Sequence, residues 1–171
     1  MKIELKKWTW ADKDSLMALF NSVDRTYLSS RVPSPYTDAD AEWWLEMVAA
    51  NEGVGGTFRA IAVNGKVVGS ISVERKDDVY RLDGKLGYVL LTGYWNQGIM
   101  TEAVRQACAE AFSELQLNRI TAYVFQPNAA SQCVLLKNGF VMEGVMRQAV
   151  VKDDKTYDVC IYGLLKQEQS L

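Results

Sequence analysis

An α+β (mixed α/β) fold is what this sequence predicts: a mixed, mostly antiparallel sheet of about seven strands with helices on both faces. Three observations carry that expectation. Two hairpin signals, Asn64-Gly65 and Lys152-Asp153-Asp154-Lys155, each lie between runs rich in β-branched and aromatic residues. Thr101 to Leu115 sets Val104, Cys108, Ala111 and Leu115 at intervals of three and four, the stripe of an amphipathic helix. A short glycine turn joins that helix to the apolar run Leu86 to Leu91. With 171 residues, 49% of them hydrophobic, the chain suits one domain over residues 1–171. A domain of that size buries on the order of 70% of its unfolded surface.

Taken in order, Lys2 to Trp8 alternates charged residues with Ile3 and Leu5 and reads as a first strand. Thr9-Trp10-Ala11-Asp12 has the spacing of a capping box, and Leu16, Leu19, Phe20 and Val23 give the following helix one apolar face, ending near Asp24. Arg25 to Tyr36 carries Pro33 and Pro35 and is expected to be a surface connection. Thr37-Asp38-Ala39-Asp40 opens a second helix, on which Trp43 and Trp44 read as packing residues. Asn51 to Gly56 is a glycine loop. It runs into a strand rather than a helix, so it is no dinucleotide fingerprint. Thr57 to Val63 and Val67 to Glu74 form the first hairpin, and Lys85 to Leu91 is the next strand. Beyond the central helix, Arg119 to Phe125 reads as a strand and Asn128 to Lys137 as a short helix capped by Asn128 and stopped by Asn138-Gly139. Phe140 to Val151 and Thr156 to Leu165 complete a long hairpin.

Composition removes several classes of chemistry. There is no histidine, which excludes a Ser/His/Asp triad and most zinc sites, and no metal-ligand spacing occurs. Nineteen basic and 21 acidic residues leave a net charge of −2, so no nucleic-acid partner is expected. Cys108, Cys133 and Cys160 are isolated and read as reduced structural thiols, with Cys133 in the core. No basic-then-apolar leader appears, and no apolar run approaches the roughly 20 residues of a membrane span. A cytoplasmic protein without a membrane partner is therefore expected.

The stretch Tyr94-Trp95-Asn96-Gln97-Gly98-Ile99-Met100-Thr101-Glu102-Ala103 is where chemistry would sit. The first turn of a helix has N–H groups without intrahelical partners, and the helix dipole adds partial positive charge there. Gly98 lets backbone approach a bulky anion. The stretch reads either as a phosphate cradle or as a tight connection with a helix cap.

Two motifs resemble the GNAT superfamily of N-acetyltransferases, in the branch of bacterial ribosomal-protein N-terminal (alanine/serine) acetyltransferases. Gly87-Tyr88 followed by Tyr94 to Ala103 resembles the acetyl-CoA pyrophosphate loop. Asn128-Ala129-Ala130-Ser131 with Leu135-Leu136-Lys137-Asn138-Gly139-Phe140 resembles the second cofactor motif. The resemblance covers nearly the whole chain and implies a GNAT-like acyl-CoA N-acyltransferase fold with acetyl-CoA as cofactor. It places Trp95, Asn96, Gln97, Gly98, Met100 and Thr101 at the pyrophosphate, with Val89, Leu90 and Leu91 along the pantetheine and Asn128 and Ser131 beside it. Ser131 is the implied acid for the departing thiolate, and the amide of Leu91 or a neighbour the donor to the carbonyl oxygen. On the acceptor side, Arg31, Tyr36, Trp43 and the Lys152 to Lys155 turn read either as groove lining or as surface and packing residues, with Lys85 nearby.

The chain departs from the family pattern at four places: Met100 replaces a small residue, Leu135 a tyrosine acid, Lys85 a glutamate base, and Val150 an acidic residue. A carboxylate base is thus missing; Asp83 and Tyr88 read either as structural residues or as the base of a water relay. An α-amine with a reference pKa of about 8 needs less help than a lysine amine near 10.4. The expected acceptor is therefore a primary amine of the protein N-terminal kind, attacked in a direct ternary complex by a monomer or homodimer. A small-molecule amine, or a non-catalytic acyl-CoA-binding module, is the alternative.

Overall fold

The computed structural model describes residues 1–169. Seven strands form one sheet: β1 (Ile3–Lys7), β2 (Gly56–Val63), β3 (Lys66–Arg75), β4 (Asp83–Leu90), β5 (Arg119–Phe125), β6 (Val141–Lys152) and β7 (Lys155–Leu165). The helices are α1 (Lys13–Phe20), α2 (Asp38–Asn51), α3 (Ile99–Glu114) and α4 (Ala129–Lys137). Strand order is β1-β2-β3-β4-β5-β7-β6. Each neighbouring pair is antiparallel except β4 and β5, which are parallel.

The two hairpins follow from turn chemistry. Asn64 and Gly65 have φ of 49° and 83°, and Asp153 and Asp154 have 50° and 60°. Positive φ at both central positions matches the twist of the flanking strands. Helix α3 lies on one face of the sheet, burying Ile99, Ala103, Val104, Ala107, Cys108 and Phe112 against Ile61, Ile71, Leu86, Ile120 and Leu164. α1 and α2 cover the other face through Leu16, Leu19, Phe20, Leu45 and Val48, packed with Trp8 and Phe58.

α1 stops at Phe20 rather than near Asp24. The Asn21 side chain accepts from the Tyr36 N–H and donates to its carbonyl, each at 2.9 Å, which turns the chain out of the helix. The segment from Arg25 to Tyr36 is better anchored than a plain surface connection. Lys152 Nζ donates to the Leu28 carbonyl at 2.9 Å, and the Tyr27 ring meets Phe125 and Tyr157 edge-on at 5.5 and 6.4 Å. Trp44 packs as expected, T-shaped on Trp8 at 5.3 Å, whereas Trp43 is 67% exposed. Cys133 is exposed, not in the core, because it falls outside the one α4 position, Leu135, that is fully buried. β7 is enclosed between β5 and β6, so the edge on that side of the sheet is β6, where Val141, Met142, Val145 and Met146 are exposed.

Candidate active site

β4 and β5 pair only from Asp83–Arg119 to Lys85–Thr121. Beyond Lys85 the two strands part, and the sheet opens at the end where β4 runs into the glycine turn. Strand polarity decides which backbone groups face that opening. In an antiparallel ladder, alternate residues point their N–H and C=O to opposite sides. The Leu91 N–H donates to the Val68 carbonyl at 2.9 Å, and Val89 pairs with Ser70. The residues between them, Tyr88 and Leu90, therefore turn their backbone toward β5. This corrects the sequence expectation: the Leu91 amide is spent within the sheet and is not a free donor, and Val89 likewise faces β3. Of the three, Leu90 alone presents its amide to the opening, and Tyr88 joins it. The Leu90 carbonyl is already taken by the Trp95 indole N–H at 2.9 Å.

The turn itself is shaped for an anion. Asn96 and Gly98 have φ of 58° and 76°, with Gln97 between them. Such alternation turns successive N–H groups toward one side, forming a concave nest. Gly98 is the N-cap of α3 and offers no capping side chain, so the amides of the first turn keep their donors. A Cβ built on Gly98 would meet no atom within 4 Å, leaving the space above the turn open. Met100 is 9% exposed, its side chain packed in the core and away from the turn. Gln97 braces the loop by donating from Nε2 to the Gly93 carbonyl at 3.0 Å. Thr101 is tied to the far end of α4, its carbonyl accepting from Asn138 Nδ2 at 3.1 Å. These features fit the pyrophosphate of a coenzyme A thioester: unpartnered amides, a helix N-terminus and no side chain in the way.

α4 brings the second group of residues. Asn128 Oδ1 accepts from the Ser131 N–H at 3.3 Å, which makes Asn128 the helix cap and leaves its Nδ2 for a ligand. Ser131 Oγ lies 2.7 Å from Tyr88 Oη, so the first turn of α4 is hydrogen-bonded to β4 at the opening. Burial pushes the Tyr88 phenol up to about 12, opposed by its hydrogen bond to Ser131. Tyr88 keeps its proton at neutral pH and is not the base of a water relay. Asp83 is not that base either: Thr121 Oγ1 sits at 2.8 and 2.9 Å from its two oxygens, and Lys76 Nζ at 2.6 Å from one. It ties β4 to β5 just before they part.

Lys85 lies exposed on β4, next to Glu74 in register, with its Nζ 5.9 Å from the centre of the Tyr123 ring. Arg31 is exposed in the α1–α2 connection. Tyr36 is 5% exposed and stacked on Phe20 at 5.0 Å, with its phenol also pushed up to about 12 by burial. It is a core residue, which corrects its assignment to the acceptor side: the aromatic ring that looked like a ligand grip is buried beneath α2. The interaction the sequence did not reveal is Tyr88 with Ser131. A signal was present, because a tyrosine placed in phase with Leu86 and Leu90 on an inward strand face needs a partner for its hydroxyl. Among the described residues no group of three or more His, Cys, Asp or Glu is placed to hold a metal ion, and no helix is long and apolar enough to cross a membrane.

Known proteins resemble this chain in sequence and in fold. The family model described as an acetyltransferase (GNAT) domain matches residues 2–141. The uncharacterized N-acetyltransferase YoaA of Bacillus subtilis (strain 168) is 36% identical over 85 residues, covering 50% of this chain and 48% of YoaA. The putative ribosomal N-acetyltransferase YdaF of the same organism is 32% identical over 113 residues, 66% of this chain and 61% of YdaF. The matched stretches thus span about half to three-fifths of these two relatives. The fold is shared with the ribosomal-protein-S5-alanine acetyltransferase of Vibrio fischeri, with a TM-score of 0.87 at 20% identity over 100% of this chain and 97% of that one.

Proposed function

Because the chain belongs to the GNAT acetyltransferase family, we propose that it transfers an acetyl group from acetyl-CoA to a primary amine, by direct attack in a ternary complex. The observation that supports this most is the parting of β4 from β5 beside the unpartnered amides at the start of α3. An extended amide ligand satisfies the free edge of β4, at Tyr88 and Leu90, as an added strand would. Its pyrophosphate end meets the amides of Gln97, Gly98, Met100 and Thr101. An amide of this edge, at Tyr88 or Leu90, then takes the role of donor to the thioester carbonyl oxygen, where charge develops during transfer. Ser131 lies at the same opening and is the donor for the departing sulfur.

The acceptor we infer is a protein N-terminal α-amine. Its reference pKa of about 8 leaves an appreciable neutral fraction at pH 7, whereas a lysine amine near 10.4 would need a base. Lys85 stands at the family's glutamate position on β4, and Asp83 is engaged by Thr121 and Lys76. The name of YdaF, putative ribosomal N-acetyltransferase, agrees with this choice of acceptor.

The test is acetyl-CoA binding by calorimetry followed, in the same sample, by thiol release on adding N-terminal peptides and a panel of small amines. Binding with release on an α-amine peptide is the expected result. Release on small amines alone would overturn the choice of acceptor, and binding without release on any amine would favour a binding module. Ser131→Ala is expected to slow turnover by roughly 10- to 100-fold, the effect of losing a hydrogen bond to the charged departing sulfur, while leaving acetyl-CoA affinity nearly unchanged.

A further inference from the structure

Tyr88 and Ser131 approach each other from β4 and α4 at the place where the sheet opens. Their oxygens are 2.7 Å apart, whereas the Ser131 carbonyl, the other acceptor near Tyr88 Oη, is at 3.4 Å. Either hydroxyl can donate across the 2.7 Å contact, and each of the two has one hydrogen to give. The serine amide is held by Asn128 Oδ1 at 3.3 Å, so the residue is fixed at its backbone as well as at its side chain. Leu135, one helical turn on and fully buried, supplies no hydroxyl to this end of the site.

Resting on the acetyltransferase reading above, we propose that Tyr88 is a positioning residue: its hydroxyl donates to Ser131 Oγ, so that the serine's own hydrogen is left to point at the departing sulfur. Burial of the Tyr88 phenol keeps it protonated through the working pH range, so its hydrogen is always available for that bond. In the transfer step the amine nitrogen bonds to the thioester carbonyl carbon and the carbon–sulfur bond breaks, its electron pair staying on sulfur. The surplus proton on nitrogen goes to water. Sulfur leaves as a thiolate held by the Ser131 hydrogen and takes a proton back from water. Without Tyr88 the serine hydroxyl turns toward other acceptors, and the thiolate loses its oriented donor.

Tyr88→Phe removes one oxygen and keeps the ring, so the full-length protein should fold with its melting temperature little changed. Thiol release is expected to slow roughly tenfold, the effect of one hydrogen bond to a charged group, at an unchanged KM for acetyl-CoA. Ser131→Ala slows it as well, and the double variant is no slower than Ser131→Ala alone, because Tyr88 acts only through the serine. A second readout needs no acceptor: the thiol of bound CoA is titrated by its ultraviolet thiolate absorbance. Either single substitution should raise the pH of that titration, and the two together no further than Ser131→Ala. Full additivity in rate and titration would make Tyr88 a packing residue and overturn the proposal, as would wild-type behaviour of Tyr88→Phe. If the wild-type protein binds CoA but acetylates no amine, the enzymatic reading fails while the titration still decides the role of Tyr88. If it does not bind CoA, both fail.

Discussion

Gly98 offers a clean separation between stability and ligand binding. It sits at φ 76° and ψ −1°, and a built Cβ meets nothing within 4 Å. Gly98→Ala therefore introduces no clash in the free protein. Its cost is the left-handed conformation of a residue with a Cβ, about 1 kcal/mol. For a chain of this length that lowers the melting temperature by about 2–4 °C. Gly98→Val has a similar small steric cost in the free fold, plus the strain of a β-branched residue at positive φ. If the turn cradles a pyrophosphate, the added side chain stands where the anion must approach. Losing even one charge-assisted bond to a backbone amide costs about 1.5–3 kcal/mol, which is roughly 10- to 150-fold in affinity. Calorimetric titration with CoA reads that number directly, and differential scanning reads the stability. Gly93→Ala is the control, since Gly93 also has open space but no positive φ, and should change neither quantity. A Gly98→Val protein that melts a few degrees low yet binds CoA like the wild type would refute the assignment of this loop.

Other expectations follow from charge and burial. Arg59, 3% exposed, bonds Glu52, Glu110 and Glu114, of which Glu52 is the best shielded, so Arg59→Ala should cost about 1.5–3 kcal/mol in a urea melt. Glu102 is drawn down to about 2 by its hydrogen bonds to Arg105 and then Gln106, from an ordinary 4.5. Its folded value is depressed, so its stabilisation is complete above about pH 4.5 and is lost as pH falls toward 2. The Glu102 side chain is 35% exposed and that of Arg105 50%, so Glu102→Gln should cost only roughly 0.5 kcal/mol at pH 7 and flatten the acid limb of the melting curve in that window. Trp44→Ala removes the edge contacts to Trp8 and Phe58 and should cost about 2–3 kcal/mol, whereas exposed Trp43→Ala should change stability by less than about 0.5. Chemical denaturation of the two side by side tests that contrast.

Much of the fold was legible in residue order because its signals are local. Asn64-Gly65 and Asp153-Asp154 adopt the backbone that hairpin turns require, and Asn128 caps the helix it precedes. The stripe Val104, Cys108, Ala111 and Leu115 is buried to the last residue. The glycine turn at Gly98 was readable for the same reason: a strand, a residue free of Cβ and a helix start are consecutive in the chain.

What needed the tertiary structure was every property that depends on a neighbour distant in sequence. The direction of a strand's hydrogen-bonding groups is set by its register with the next strand, so the pairing of β4 with β3 moved the free amide from Leu91 to Leu90. Burial of Tyr36 depended on where α1 ended, and enclosure of β7 on which strand came to lie beyond it. Tyr88 and Ser131, 43 residues apart, became partners only when α4 docked against the opening between β4 and β5. The sequence by itself determined the elements, their turns and the glycine-capped helix start, because short-range sterics and backbone hydrogen bonding decide these. Tertiary structure alone decided which groups were left unsatisfied and facing one another, because that is settled by the packing of chain segments that residue order does not place side by side.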